Sequence, residues 1–295
     1  MRTLQFALLG IGAGAAYAIL ATGVVVVFRG TGILNFAQGA IGTFCAYLFF
    51  ELHERRSWPL AAAFAAVLVL GVVIGAAMHL LLMRPLRRTG LLAKVVATLA
   101  LVVLLEALVV WIFGGGVRIP SSVLPVRVVE VLGVRVGLDR LYLGGIAVAV
   151  AGVTALLVGR TRTGLVMRAM SDNERGAQLL GFSPDVVAVQ TWAFGSALAA
   201  LAGILVTPMV GMDPLALTLM IVPVFTAALI GRFSSIVVTT VAAFAIGMVQ
   251  SVITSYGGPR AGDRLPVAGA GAGRRVPRGR RHPRHDRLRA ASPGP

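Results

Sequence analysis

The sequence predicts an all-α polytopic membrane protein, a bundle of about eight transmembrane helices with a broken, re-entrant early helix. Three observations predict it. Of the 295 residues, 57% are hydrophobic and 13% charged, against roughly 45–50% and about 25% in soluble domains, and mean hydropathy is +0.88. Apolar runs long enough to cross about 30 Å of hydrocarbon recur through residues 1–256. The alternating segments of about ten residues that build a membrane barrel are missing. Backbone groups in lipid must be satisfied within their own segment, which leaves helices.

The runs place spans near 4–28, 33–50, 59–83, 92–113, 141–158, 187–210, 216–231 and 234–256. The first follows Met1-Arg2-Thr3 directly. Its apolar stretch is too long for a signal-peptide core, so it reads as a retained span. Two loops are strongly basic, one with Arg84, Arg87, Arg88 and Lys94, the other with Arg160, Arg162, Arg168 and Arg175. Both belong on the cytoplasmic side, and the two spans between them make the assignments agree. The loop 114–140 is then external, and the alternation from Val126 to Val136 predicts a short β-hairpin there. Glycines recur inside the spans, as at Gly10, Gly12, Gly14, Gly71 and Gly75. Small residues let helices approach closely in a bilayer. The competing reading is permissive composition from a GC-rich gene, since all basic residues but Lys94 are arginine.

Catalytic chemistry has little to stand on. Lys94 is the only lysine and no phosphate-binding glycine loop surrounds it, so the chain does not hydrolyse ATP itself. His53 and His79 are too far apart to suggest a metal site, and Gly195-Ser196 has no following histidine as a base before the tail. Cys45, the one cysteine, reads as a small buried hydrophobe.

What remains is polar groups set into apolar helices. In Arg29-Gly30-Thr31-Gly32-Ile33-Leu34-Asn35-Phe36-Ala37-Gln38-Gly39 the glycines break the helix, and Asn35 and Gln38 fall on one face of the next. They serve either interhelical hydrogen bonding or the translocation path. Glu106 is the one acid deep inside a span. Its cost of about 3 kcal/mol on insertion scales demands the bundle interior or a wet cavity. With no titratable partner in neighbouring spans, a structural or pore-lining role is favoured over proton coupling.

In the second basic loop, Ser171-Asp172-Asn173-Glu174 reads as a capping box with Ser171 at the N-cap and Glu174 at N3. Gly181 supplies the left-handed C′ position, and Ser183-Pro184-Asp185 opens the next span. A helix so short must dock, on a partner or on the bundle's own underside. A proline at Glu174 would then ruin it. Beyond Tyr256, residues 257–295 hold ten arginines and two aspartates, half of the net charge of +16. This second domain is expected to be a disordered Arg/Pro/Gly-rich tail. Three readings stay open for it, a polybasic binding tail, an idle tail, and a frameshift product in GC-rich coding sequence, the last being favoured.

The loop from Arg168 to Phe182, Arg-Ala-Met-Ser-Asp-Asn-Glu-Arg-Gly-Ala-Gln-Leu-Leu-Gly-Phe, resembles the cytoplasmic loop of branched-chain amino acid ABC transporter permeases. Phe194 to Leu205 resembles the family's following helix. Gly32-Ile33-Leu34-Asn35-Phe36-Ala37-Gln38-Gly39, preceded by Ala15-Ala16-Tyr17-Ala18-Ile19-Leu20, resembles its Asn-Phe-Ala signature. The resemblance runs over roughly residues 5–256. It implies a permease subunit that pairs with a second, related permease, two ATPase subunits and an external solute-binding protein in the bacterial cytoplasmic membrane. It implies no cofactor on this chain, ATP being used by the partner ATPases, and no nucleic acid. Residues 171–181 would be the coupling helix, with Ser171, Glu174 and Gly181 setting its geometry and Arg168 and Arg175 meeting the ATPase. A secondary transporter or channel without ATPases is the alternative. The chain departs from the family pattern in three places. Gly231-Arg232-Phe233-Ser234-Ser235 stands where the family often has Gly-Gly-x-Gly-Ser, which puts a flexible hinge in doubt. Arg175 occupies the usual place of the loop glutamate. A last helix expected after Tyr256 is replaced by the arginine-rich stretch.

Overall fold

A computed structural model describes residues 2–114, 120–125, 127–131 and 134–257. The compact unit is Met1–Tyr256. The expected tail domain lies, past Gly257, outside the described residues.

The first predicted span is two helices, α1 (Arg2–Leu9) and α2 (Ile11–Thr31), separated at Gly10. A Cβ at Gly10 would stand 2.5 Å from the Gly247 carbonyl oxygen, so the chain bends where another backbone lies against it. α2 ends at Gly32, whose φ of +67° is the left-handed conformation that glycine adopts freely. Residues 33–37 are not helical. The second span therefore begins later than predicted, with α3 (Gln38–Phe50). The reason is local. The Asn35 side-chain oxygen accepts from the Ala37 N–H at 3.0 Å, an Asx turn that competes with helix.

α3 runs on into a π-helical turn, Glu51–Arg55. α4 (Leu60–Ala77) likewise continues as π-helix through Met78–Met83 and a 3₁₀ turn, Pro85–Arg88. α5 (Leu91–Phe113) follows. The predicted hairpin forms: β1 (Val128–Val131) pairs antiparallel with β2 (Val134–Gly137), Val129 opposite Val136. Next come α6 (Leu138–Arg160), α7 (Arg162–Asp172), α8 (Glu174–Leu179) and α9 (Pro184–Val210), then α10 (Pro214–Leu219), α11 (Ile221–Ile230) and α12 (Ile236–Gly257).

Among the described residues, six helices are long and apolar enough to cross a membrane: Ile11–Thr31, Leu60–Met83, Leu91–Phe113, Leu138–Arg160, Pro184–Val210 and Ile236–Tyr256. The other two predicted spans are short. α3 has 13 residues, and Pro214–Ile230 is divided at Met220, whereas about 20 residues are needed to cross alone.

Burial sorts the spans into two layers. The most apolar stretches of α2 and α9 are 83% and 61% buried, against 17–33% for α4, α5, α6 and α12. α2 and α9 thus form the inner pair, against which α3 also packs. Outer helices that are apolar all round present Val, Leu and Ile outward, as a lipid-facing surface does.

Small residues set how closely the layers meet. Gly71 and Gly75 bring α4 against the backbone of α9 at Ser196 and Trp192. Gly14 meets the α12 backbone at Phe244, and Gly203 on α9 meets Gly42 on α3, glycine against glycine. The glycine pattern therefore has a packing role, with composition at most permitting it. Hydrogen bonds pin the contacts. The Tyr17 hydroxyl donates to Gln250 Oε1 at 2.8 Å, and the Tyr47 hydroxyl to the Met212 carbonyl at 2.8 Å. Cys45 is fully buried in this core.

Candidate functional site

Basic residues from several elements meet at one end of the bundle. The end of α2, the α4–α5 turn, α7, the start of α9 and residues 232–234 surround a cavity of about 670 Å³. Asp185, at the second position of α9, is its hub. Arg87 Nη1 lies 3.3 Å from Asp185 Oδ1, Arg84 Nε 3.5 Å from Oδ2, and the buried His79 ring 3.7 Å from Oδ1. Both arginines are largely exposed, so each pair adds at most about 1 kcal/mol. Their effect is positional, fixing the α4–α5 turn to the head of α9. The sequence marks Asp185 only as a helix-start residue, because its partners lie about a hundred positions away.

The loop that leads into this end holds two helices. α7 begins at Thr161, whose hydroxyl accepts from the Gly164 N–H at 3.3 Å, and it buries Gly164, Met167 and Met170, one face at helical spacing. The capping box at Ser171 does not form. Ser171 lies in the last turn of α7, and the N-cap of α8 is Asn173, with φ −152° and its side-chain oxygen accepting from the Gly176 N–H at 2.9 Å. Glu174 is therefore N1 of α8 and Arg175 is N2. This overturns the expectation that Glu174→Pro breaks the helix, since N1 is the position where proline is tolerated.

The far end agrees with the sequence. Gly181 has φ +86°, its N–H bonds the Gln178 carbonyl at 2.9 Å, and the Phe182 N–H bonds the Ala177 carbonyl at 3.1 Å. That is a Schellman closure. Leu179 and Leu180 are left 90% and 75% exposed at the tip. Neither leucine was singled out from the sequence, because in pattern they look like two more core residues. Arg168, on the exposed face of α7, lines the basic cavity.

Asn35 and Gln38 come together, both fully buried. Asn35 Nδ2 donates to Gln38 Oε1 at 3.1 Å, and Gln38 Nε2 donates to the Gly195 carbonyl at 2.7 Å. This is the interhelical bonding of the two sequence readings, tying the head of α3 to the middle of α9. Gly23 leaves the room: a Cβ there would stand 2.5 Å from Gln38 Nε2. Gln38→Leu removes both bonds and leaves the Asn35 amide unsatisfied, at about 1–3 kcal/mol. A detergent-solubilised variant is expected to lose several degrees in Tm, whereas an unchanged Tm would mean that the knot adds nothing.

Glu106 stands apart on α5, half-buried, and among the described residues it has no hydrogen bond or ion pair. Ser196 is buried on the α4–α9 seam, and among the described residues neither its hydroxyl nor the Trp192 indole N–H has a hydrogen-bond partner. Among the described residues no group of three His, Cys, Asp or Glu side chains could hold a metal ion.

Arg232 and Phe233 have φ of +53° and +51°. Each such residue is strained by about 1–2 kcal/mol unless it is glycine. The turn is held by Phe233 packing on Phe28 at 4.9 Å between centroids and by Arg29 Nη1 donating to the Ser234 carbonyl at 3.1 Å. The chain thus takes a glycine-like turn with arginine and phenylalanine in it, clamped from α2.

Six apolar spans among the described residues, an inner pair knotted by polar side chains, and a short capped helix with an exposed leucine tip define a multi-pass membrane protein of the permease class. The chain belongs to the family of branched-chain amino acid transport system permease components, whose pattern matches residues 6–267. It is 27% identical over 268 residues to the high-affinity branched-chain amino acid transport system permease protein BraD of Pseudomonas aeruginosa, covering 86% of each chain. It is 23% identical to the permease protein LivH of Salmonella typhimurium, covering 84% of each. It is 26% identical to the probable LivH of Methanocaldococcus jannaschii, covering 81% of this chain and 77% of that one. No solved structure gives a significant match.

Proposed function

We propose that this chain is the membrane-spanning permease subunit of an ATP-driven importer, moving branched-chain or related amino acids delivered by an external solute-binding protein. The observation that carries the ATP-driven reading is the tip of α8. Two adjacent leucines are exposed there, beyond the spans, on a helix closed at both ends by its own caps. Adjacent apolar side chains exposed outside the lipid-facing spans gain from being covered by a partner. The partner is an ABC ATPase subunit, and α7–α8 is the coupling segment, with Arg168 and Arg175 beside it.

Two such ATPases and a second, related permease complete the complex in the bacterial cytoplasmic membrane, with the basic end inside. ATP is used by the ATPases and this chain carries no cofactor. α3 and the α10–α11 pair count as membrane segments and bring the total to eight, the break before α3 being re-entrant. Asn35 and Gln38, bonded between α3 and α9, brace the wall of the translocation path, and Glu106 lines it, turned toward the second permease. Nothing specific favours a transporter without ATPases.

The test is co-purification from native membranes of the wild type and of a Leu179→Asp/Leu180→Asp variant. The variant is expected to insert normally and to recover at least tenfold less ATPase. Equal recovery from both would overturn the coupling role of α8.

A further inference from the structure

The basic cavity holds more cationic charge than the coupling reading uses. Six cations line it, Arg29, Arg84, Arg87, Lys94, Arg168 and Arg232, against the single acid Asp185 among its described lining residues. Asp185 is already shared by Arg84 and Arg87. That leaves Lys94, Arg168 and Arg232 without an acidic partner among the described residues, and Arg29 bonded only to the neutral Ser234 carbonyl. Several like charges around one partly enclosed space repel one another unless a counter-ion sits among them. A second observation points inward. His79 is 94% buried and lines the same cavity; its Nε2 stands 3.7 Å from Asp185 Oδ1, beyond hydrogen-bond distance, and neither ring nitrogen has a hydrogen bond among the described residues.

We propose that this cavity binds a phosphate-bearing anion, supplied by the headgroup of an anionic phospholipid of the inner leaflet. Guanidinium forks match phosphate oxygens in pairs, and the lysine adds a point charge. A zwitterionic amino acid is a poor occupant, because its ammonium would meet the same excess of cations and only an acid already engaged. The lipid source follows from position. Arg84 and Lys94 stand at the ends of α4 and α5, where Leu81, Leu91 and Leu92 are exposed and offer acyl chains a surface beside the headgroup. Basic pockets between spans at headgroup level are where such lipids are held. The inference does not rest on the importer reading.

The full chain, extracted mildly with the subunits that accompany it, is examined by native mass spectrometry and then delipidated and titrated with phosphatidylglycerol or phosphatidylcholine in mixed micelles. Retained anionic lipid is expected, with at least tenfold preference for phosphatidylglycerol. Arg232→Gln/Lys94→Gln is expected to reduce that binding at least fivefold. Arg55→Gln/Arg56→Gln, at the opposite end, serves as the control for lost charge and is expected to leave it unchanged. Equal binding of both lipids, or equal losses in both variants, would overturn the proposal. Inorganic phosphate competing at millimolar concentration in the wild type but not in Arg232→Gln/Lys94→Gln, with no lipid preference, would keep the anion site and overturn the lipid as its source.

Discussion

Ala177→Pro is expected to abolish uptake while leaving the spans inserted. Ala177 is the first residue of α8 whose N–H closes a helical bond, to the Asn173 carbonyl at 3.0 Å. Proline removes that bond and collides with the preceding turn, at about 3 kcal/mol or more. A six-residue helix has no other turns to absorb such a loss. Loss of α8 would take the leucine tip out of position. Uptake of labelled leucine should fall to background, while surface labelling and detergent extraction match the wild type. Glu174→Pro, three residues earlier, is the internal control and should retain most of its transport, because proline at N1 gives up only an N–H that the helix does not use. Equal loss in both variants would place the defect elsewhere than in helix formation.

Gly203→Leu is expected to be the most damaging single change in the inner layer. Any side chain at Gly203 would run into the Gly42 backbone of α3. Overpacking usually costs about 1–3 kcal/mol because side chains can rotate aside. Here the obstacle is main chain, so the cost should lie at or above the top of that range. The variant should show little monodisperse protein by fluorescence-detected size exclusion, while Gly145→Leu, where a Cβ meets only open space on α6, should resemble the wild type. A well-behaved Gly203→Leu would mean that α3 and α9 can separate without penalty.

Much of this was legible in the sequence. The positions of the long spans, the break after Arg29, the hairpin before α6 and the left-handed Gly181 all follow from hydropathy, alternation and glycine chemistry. What escaped has physical causes. Ser171 and Asn173 are comparable N-caps, and the sequence favoured Ser171 because Glu174 completed a capping box. The structure favours Asn173 because the amphipathic face of α7 (Gly164, Met167, Met170) carries that helix on through Ser171 and Asp172. Gly10 looked like one more small residue in a continuous span. Its break depends on Gly247, which is distant in sequence. Asp185 became a hub only once the fold brought the α4–α5 turn beside it. For Asn35 and Gln38, the residue types announced a polar contact, but only the partner, the Gly195 carbonyl, decides that they join two helices.

The glycine seam between α3 and α9 also limits how the molecule can move. Where backbones touch there are no rotamers to exchange, so the two helices have one way to fit and cannot slide by a residue without collision. With α2 tied to the same unit through Gly23 and Gly195, the centre behaves as a single stiff body. The outer helices α4 and α12 are held to it by the same kind of contact, Gly75 on Trp192 and Gly247 on Gly14, so any opening and closing in a transport cycle must carry this body as a whole.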